Sequence, residues 1–528
     1  MSSASTTADN APPADAGPAP LTGTALGVTA IALALGTFMQ VLDSTIANVS
    51  VPTIAGNLGV STSQGTWVIT SFAVANGISV PLTGWLMGRY GVVKVFIASV
   101  LMFTVASFLC GIAWNIDVLI LFRVLQGAVS GPMIPGSQAL LMMIFPPNKR
   151  GTALAIWSMT TLVAPICGPI LGGYISDNIS WPWIFFINLP VGAICAFLCW
   201  RGLQGRETPT FRRQIDRTGF ILLVVWVGAL QVMLDTGKDA DWFNSPVIVA
   251  ETLIAAIGFV AWVVWEMYDQ HPIVGLSLFR LRNFALGCVV LCIGYAIFFG
   301  NNLLMPLWLQ TQVGYQAFWA GLVAAPSGMV AVVLTPFMAR MLNRFDARIL
   351  ATVSMLFFSL SFYMRSLYTP DASFFTYAAP MAVMGVAMSC FFISMVAITL
   401  HGISGPLVPA ASGLSNFARI VAGSFAASLA TTVWDQFETR RQTHLAEIMG
   451  GPGGVSGPVQ QAVEQAHHLG LTTAQGAGMV VHQVVGQAYL GGALDFFRLS
   501  GIIVLALIPL IWLCEETRAS GGVHAAAD

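Results

Sequence analysis

The chain has 528 residues, 56% of them hydrophobic and only 9% charged, where an ordinary soluble domain carries about a quarter charged residues; this excludes a soluble enzyme. Its 22 Lys and Arg against 23 Asp and Glu give a formal net charge of -1, leaving neither a basic surface for nucleic acid nor an acidic tail. Apolar runs of about eighteen residues or more recur along almost the whole length, each able to cross a hydrocarbon core about 30 Å thick. The expected fold class is an all-α polytopic membrane protein.

Residues 1–24 are rich in Ala, Pro and Ser and hold no Lys or Arg, so they lack the basic start of a cleavable signal and read as a disordered cytoplasmic tail. Apolar runs between Pro, Gly and charge breaks then predict helices at 25–48, 66–87, 92–113, 117–141, 151–175, 183–201, 218–235, 246–267, 284–309, 318–340, 347–367, 374–398, 410–433 and 497–514. That is fourteen. Helices 2 and 3 are joined by a basic turn from Gly84 to Lys94, and helices 10 and 11 by another from Arg340 to Arg348. Equivalent turns at equivalent places predict two six-helix bundles, 25–203 and 283–515, a linker at 204–282 carrying two inserted helices, and a tail at 516–528. This 6+2+6 duplication is how many secondary transporters build an alternating-access machine.

Cytoplasmic loops accumulate Lys and Arg. With the N-terminus inside, the even-numbered loops and the C-terminal tail hold fifteen (Arg89, Lys94, Lys149, Arg150, Arg201, Arg206, Arg212, Arg213, Arg217, Arg280, Arg282, Arg340, Arg344, Arg348 and Arg518). The other side holds five: Lys238, Arg365, Arg440, Arg441 and Arg498. Both termini are therefore expected in the cytoplasm. The longest hydrophilic stretch, 434–496, then lies outside; it contains GGPGG (Gly450 to Gly454) between helix-like pieces. It reads either as a solvated loop or as a projecting helical hairpin that docks another protein.

No Walker-type G-x-x-x-x-G-K-[ST] loop, H-E-x-x-H, G-x-S-x-G or intramembrane carboxylate dyad occurs. Catalysis, direct ATP drive and a cofactor are not expected. The remaining drive is an ion gradient, worth about 2.3 kcal/mol per charge per 100 mV. Two of the cysteine pairs, Cys195/Cys199 and Cys288/Cys292, are one helical turn apart, but no His or acid converges on either, so the thiols read as core residues and no metal site is expected.

Each ionisable group inside a span costs roughly 2.5–3.5 kcal/mol on insertion scales and needs a reason. Asp43 lies about five residues from the outer end of helix 1, roughly 8 Å deep at about 1.5 Å per residue. Arg123 on helix 4 reaches a similar depth, so the two can pair. A closed ion pair would merely satisfy both charges. In a proton-coupled carrier Asp43 instead gains and loses a proton, with burial and the nearby Arg123 setting its pKa in opposite senses. Glu251 and Glu266, near the ends of helix 8, are expected to reach interfacial water. Candidates for a substrate cavity are Gln126, Asn301, Asn302, Asn416 and Arg419; a Met- and Phe-rich wall there would accept varied apolar ligands by repacking. Candidates for hinge and gate are Gly84, Arg89 and Gly91 in the first basic turn and Pro165, Gly168, Pro169, Gly172 and Gly173 on helix 5, where small residues permit close approach and proline permits a bend.

These motifs resemble the major facilitator superfamily over residues 25–515. Gly84 to Lys94 resembles its loop motif, Leu121-Phe122-Arg123-Val124-Leu125-Gln126-Gly127 its helix 4 motif, and Ala164 to Gly173 the helix 5 motif of antiporters. Leu42-Asp43-Ser44-Thr45-Ile46-Ala47-Asn48-Val49 and the helix count resemble the fourteen-helix drug:proton antiporters. The resemblance implies export of hydrophobic drugs and toxic compounds from the bacterial inner membrane in exchange for protons. It further implies a periplasmic adaptor of the EmrA type and, through it, a TolC-like outer-membrane channel. One departure stands out: Gly88 occupies the place of the loop motif's usual acid, and Val92-Val93 replace its basic pair. The runner-up reading is a proton-independent channel or lipid-handling membrane protein.

Overall fold

The computed structural model describes residues 21–146, 150–210, 216–237, 240–269, 274–342, 344–369, 372–403, 408–450 and 472–517. Among them there are helices and turns but no strands, as expected of a chain whose backbone must satisfy its own polar groups in lipid. The first half contains α1 (Gly23–Leu58), α2 (Thr62–Tyr90), α3 (Val92–Gly111), α4 (Ile116–Ile144), α5 (Arg150–Asn178) and α6 (Trp183–Gly202). Next come α7 (Arg217–Thr236) and α8 (Pro246–Tyr268). The second half contains α9 (Arg282–Thr311), α10 (Ala317–Leu342), α11 (Ala347–Arg365), α12 (Phe374–Thr399), α13 (Val408–Gly450) and α14 (Thr473–Ala506), the last continued by a short helix, Ile508–Trp512. Among the described residues 13 spans are long and apolar enough to cross a membrane; α5, 29 residues long, completes the predicted fourteen. Prolines account for two of the local breaks, since each lacks a backbone N–H: Pro81 lies in a 3-10 turn within α2 and Pro132 where α4 re-starts.

The stretch 434–496 differs from a loop. α13 runs 43 residues to Gly450 and α14 begins at Thr473, so both flanks are helical and pack as an antiparallel pair. Trp434 Nε1 donates to the Tyr489 carbonyl at 3.1 Å, and Arg441 forks onto Asp495 at 2.8 and 2.9 Å. Hydropathy marks where a helix leaves lipid, not where it ends; α13 at about 1.5 Å per residue is roughly twice the thickness of a hydrocarbon core. Gly451 to Gly454 of the GGPGG run, the tail residues 1–20 and 518–528, and Lys149, Arg212, Arg213, Lys238 and Arg518 of the charge count lie outside the described residues.

Within the first half α1 packs on α5 and α6, α2 on α4, and α3 on α4 and α6; in the second, α9 packs on α13, α10 and α11 on α12, and α14 on α11 and α13. The halves meet chiefly along two seams, α5 with α10 and α2 with α13, and α1 also touches α9. Small residues make these seams close. A Cβ on Gly173 would lie 2.5 Å from the Ala317 carbonyl, and one on Gly77 3.1 Å from Val421. Asp177 accepts the Phe318 backbone N–H at 2.7 Å, and Gln310 donates to the Val49 carbonyl at 3.0 Å. These α5–α10 and α1–α9 contacts lie at the face opposite the basic turns, whereas Gly84 and Gly88 at the basic face have no neighbour within 4 Å of a built Cβ.

α7 bridges the α2–α13 seam. Thr70 of α2 donates to Asp235 at 3.1 Å, Gln231 donates to Asp235 at 2.8 Å and to Ser428 of α13 at 2.7 Å, and Ser424 donates back to Gln231 at 2.9 Å. The inserted helix is thus tied by polar contacts to both halves.

Candidate functional site

Asp43 is the centre of a polar cluster wholly inside the first half. Its face of α1 is turned into the bundle, and neither it nor Arg123 has any exposed surface. Arg123 Nη1 lies 2.5 Å from Asp43 Oδ2. The other carboxylate oxygen accepts from Gln126 Nε2 at 3.0 Å and Asn188 Nδ2 at 2.7 Å. Both amides also reach Ser107 of α3, at 2.7 and 2.9 Å. Arg123 donates further to the Gln126 side-chain oxygen at 2.7 Å and to the Val68 carbonyl at 2.8 Å. Its guanidinium sits 4.2 Å from the Phe72 ring centroid. Five helices, α1, α2, α3, α4 and α6, therefore converge on one buried ion pair. Charge-assisted bonds of this kind are strong, and removing one partner of such a pair typically costs about 3–5 kcal/mol.

The depth argument brought Asp43 and Arg123 together; it missed Asn188 and Ser107. The available signal for Asn188 was a lone amide at the start of an apolar run, Phe186-Ile187-Asn188. Gln126, anticipated on a cavity wall, is enclosed in this cluster because position 126 lies one turn from Arg123 on the same face of α4. Asn301 is likewise enclosed, donating to Ser500 of α14 at 3.0 Å and to the Ile297 carbonyl; the face of α9 that carries it turns into its own bundle. Asn302 is half-buried and Asn416 exposed. Arg419 donates to Asn416 at 3.2 Å and lies 4.6 Å from the Tyr295 ring centroid and 5.8 Å from that of Phe392, so it faces α9 and α12.

Two charges differ from expectation. Glu266, expected at interfacial water, is 3% exposed, because the chain folds back after α8 and the Val274 N–H donates to it at 3.2 Å. Arg365, counted among the outer-loop cations, is fully enclosed at the end of α11, against the sulfur atoms of Met381 and Met384 and the Phe362 and Phe497 rings.

The glycines of α5 work by proximity. A Cβ on Gly172 would stand 2.5 Å from the Ile46 carbonyl of α1, and one on Gly168 2.8 Å from the Thr45 Cβ. α5 runs as one helix through both Pro165 and Pro169. In the first basic turn Arg89 stacks beside Trp85 and Tyr90, and Gly91 takes φ +94°, a conformation that favours glycine. The acid absent at position 88 has a counterpart from elsewhere. Glu207, beyond α6, lies over Gly91 and accepts the Val93 and Lys94 backbone N–H groups at 2.9 and 3.0 Å, capping α3. In the second half Asp346 caps α11 through the Arg348 N–H and accepts from Thr517, beyond α14. Each third helix is thus capped at its basic-face end, and each cap is tied to the segment beyond the sixth helix of its own half.

The family model described as Major Facilitator Superfamily matches residues 33–427. The chain is 47% identical over 504 residues to the multidrug export protein EmrB of Escherichia coli K12, covering 95% of this chain and 98% of that one. It is 44% identical over 503 residues to the fatty acid resistance protein FarB of Neisseria gonorrhoeae, covering 95% and 99%. In fold it matches the crystal structure of a peptide transporter POT in complex with sulfate, with TM-score 0.63 at 14% identity over 94% of this chain and 98% of that chain. With two packed six-helix halves, an inserted pair, and 44–47% identity to these relatives over nearly their full length, the chain belongs to the major facilitator superfamily of transporters, in the family of EmrB.

Proposed function

We propose that the protein is a proton-driven antiporter exporting hydrophobic drugs and toxic compounds from the cytoplasm or inner leaflet. In this reading it sits in the bacterial inner membrane with both termini cytoplasmic. It hands its cargo to a periplasmic adaptor of the EmrA type and thence to a TolC-like channel. The relatives' names, multidrug export and fatty acid resistance, point to cargo with a large apolar body. The observation that carries the coupling is the enclosed Asp43–Arg123 pair.

A buried carboxylate is tolerated only while paired or neutral. If the transition between the two open states shifts α4 against α1 within the first half, Arg123 leaves, Asp43 takes up a proton, and Asn188 and Ser107 of α6 and α3 remain to hold it. Return of Arg123 expels the proton. The halves are joined opposite the basic turns, which fits a state open toward the cytoplasm, and the face of Arg419 and Asn416 supplies polar contacts for cargo. The projecting α13–α14 pair is the natural seat for the adaptor.

The test is Asp43→Asn in proteoliposomes under an imposed pH gradient. The isosteric amide keeps the packing but leaves Arg123 without its counter-charge, at a cost of about 3–5 kcal/mol, so folding is checked first; in protein that folds, drug accumulation is expected to be abolished and drug-dependent proton release lost. Gradient-driven export that survives in well-folded Asp43→Asn protein would remove Asp43 from the coupling role. Substrate flux that never exceeds equilibration, in the unsubstituted protein, would favour a channel.

A further inference from the structure

The inserted helix α7 touches both halves toward the face opposite the basic turns. It starts at Arg217 and carries Gln231 and Asp235 close to its far end at Thr236. Thr70, near the start of α2, and Ser424 and Ser428, far along α13 from Val408, meet it there. Their neighbours in sequence, Ile69 and Ala427, join Ala47 and Val51 of α1 and Leu303 of α9 in one buried apolar cluster drawn from both halves. Apolar side chains so packed exclude water. The cluster therefore closes the space between the halves at this end, with α7 strapped across its flank.

The two ends of the α7 bridge differ. Gln231, 3% exposed, commits both amide protons, to Ser428 at 2.7 Å and Asp235 at 2.8 Å, and its oxygen accepts from Ser424 at 2.9 Å. Parting α7 from α13 would strand these buried groups, which is costly. Toward α2 the reach is made by the Thr70 hydroxyl, 3.1 Å from Asp235, and that hydroxyl also has the Thr66 carbonyl of its own helix within 3.4 Å. On release Thr70 turns to this carbonyl, a common bond for a helical threonine, while Asp235 keeps the Gln231 proton. The link to α2 can thus open without leaving a buried group unpaired.

We propose that α7 is a strap that governs opening of the α2–α13 seam at the face opposite the basic turns. It rides with α13 through Gln231 and latches to α2 through Thr70 and Asp235. Release of the latch lets the apolar cluster part and the path open at that face. Thr70, Gln231 and Asp235 are then positioning residues, acting on the balance between the two open states rather than on cargo. The inference rests on the protein working by alternating access, and not on which group carries the proton.

The test uses the full chain, freed of its native cysteines, in nanodiscs with neither gradient nor drug, so Asp43→Asn can fail its own test and leave this one standing. Val51→Cys, at a site 1% exposed, reports on the cluster, and Asn416→Cys, at an exposed site near the start of α13, reports on the opposite end. Each thiol is labelled with a water-soluble maleimide and the rate followed by mass spectrometry. Thr70→Val keeps the shape and removes the hydroxyl; it is expected to speed labelling at position 51 about ten-fold, without speeding it at position 416. Thr70→Ser keeps the hydroxyl and should label at the parent rate. An unchanged rate at position 51 in Thr70→Val, or a similar rise at both positions, overturns the proposal, because general loosening of the bundle would expose both. Should Thr70→Val fail to fold, Gln231→Met, which cuts the strap from α13, must give the same selective rise, and its absence overturns the proposal equally. Fast labelling at position 51 with α7 intact would overturn the alternating-access reading itself, and the latch with it.

Discussion

At the scale of single residues, the ion pair between Asp43 and Arg123 is held by geometry rather than by charge alone. Each group has further partners, but only these two cancel each other's charge. Arg123→Met should therefore destabilise the protein by about 3–5 kcal/mol, because an enclosed carboxylate is left uncompensated. Adding Asp43→Asn should restore most of the loss. Thermal unfolding of the purified protein measures both, and a double variant no better than Arg123→Met would show that the cost lies in lost packing. A second residue-scale outcome concerns Asp346. Burial alone pushes its carboxyl up, but hydrogen bonds from Arg348 and Thr517 outweigh burial and hold it below the ordinary 3.8. The folded value is the lower one, so its contribution is complete above about pH 4 and disappears as pH falls through that folded value. Asp346→Asn should lower the melting temperature at neutral pH, and its difference from the parent should shrink as the medium is acidified.

Among the elements, α3 and α7 each depend on polar contacts from distant parts of the chain. α3 receives its N-terminal cap from Glu207, more than a hundred positions away in sequence, and a lost cap typically costs about 1 kcal/mol. Glu207→Ala should cost that much and raise amide exchange at Val93 and Lys94, leaving the α10–α11 turn unchanged. A uniform rise over both halves would contradict the assignment. The helices as such were readable, because a span in lipid needs about twenty apolar residues and can satisfy its backbone only as a helix. The extensions of α13 and α14 were not, since beyond the bilayer a helix is specified by packing such as Arg441 on Asp495, which hydropathy does not register.

For the whole molecule, the α5–α10 seam joins the two halves opposite the basic turns, where Asp177 meets Phe318 and Gly173 meets Ala317. If alternating access parts this seam, a bismaleimide bridge between Asp177→Cys and Phe318→Cys, in a background freed of the native cysteines, should form readily without cargo and arrest transport. Full transport with the bridge in place would mean that the halves do not separate there. Glycine at 173 and 321 permits the approach, and a side chain at either would strike backbone of the other half.

The amino-acid sequence alone determined the all-helical membrane class, the fourteen segments and the matching depth of Asp43 and Arg123. These follow from local length, hydropathy and charge, which lipid reads directly. Folding in three dimensions decided that Asn188 and Ser107 complete the Asp43 cluster, that Gln126 and Asn301 turn inward, that Arg365 is enclosed, and that α7 bridges the halves. Those outcomes depend on how each helix is rotated about its axis, and rotation is fixed only when neighbouring helices pack: period and hydropathy place a residue at a depth, but its partner is chosen by the side chains that face it.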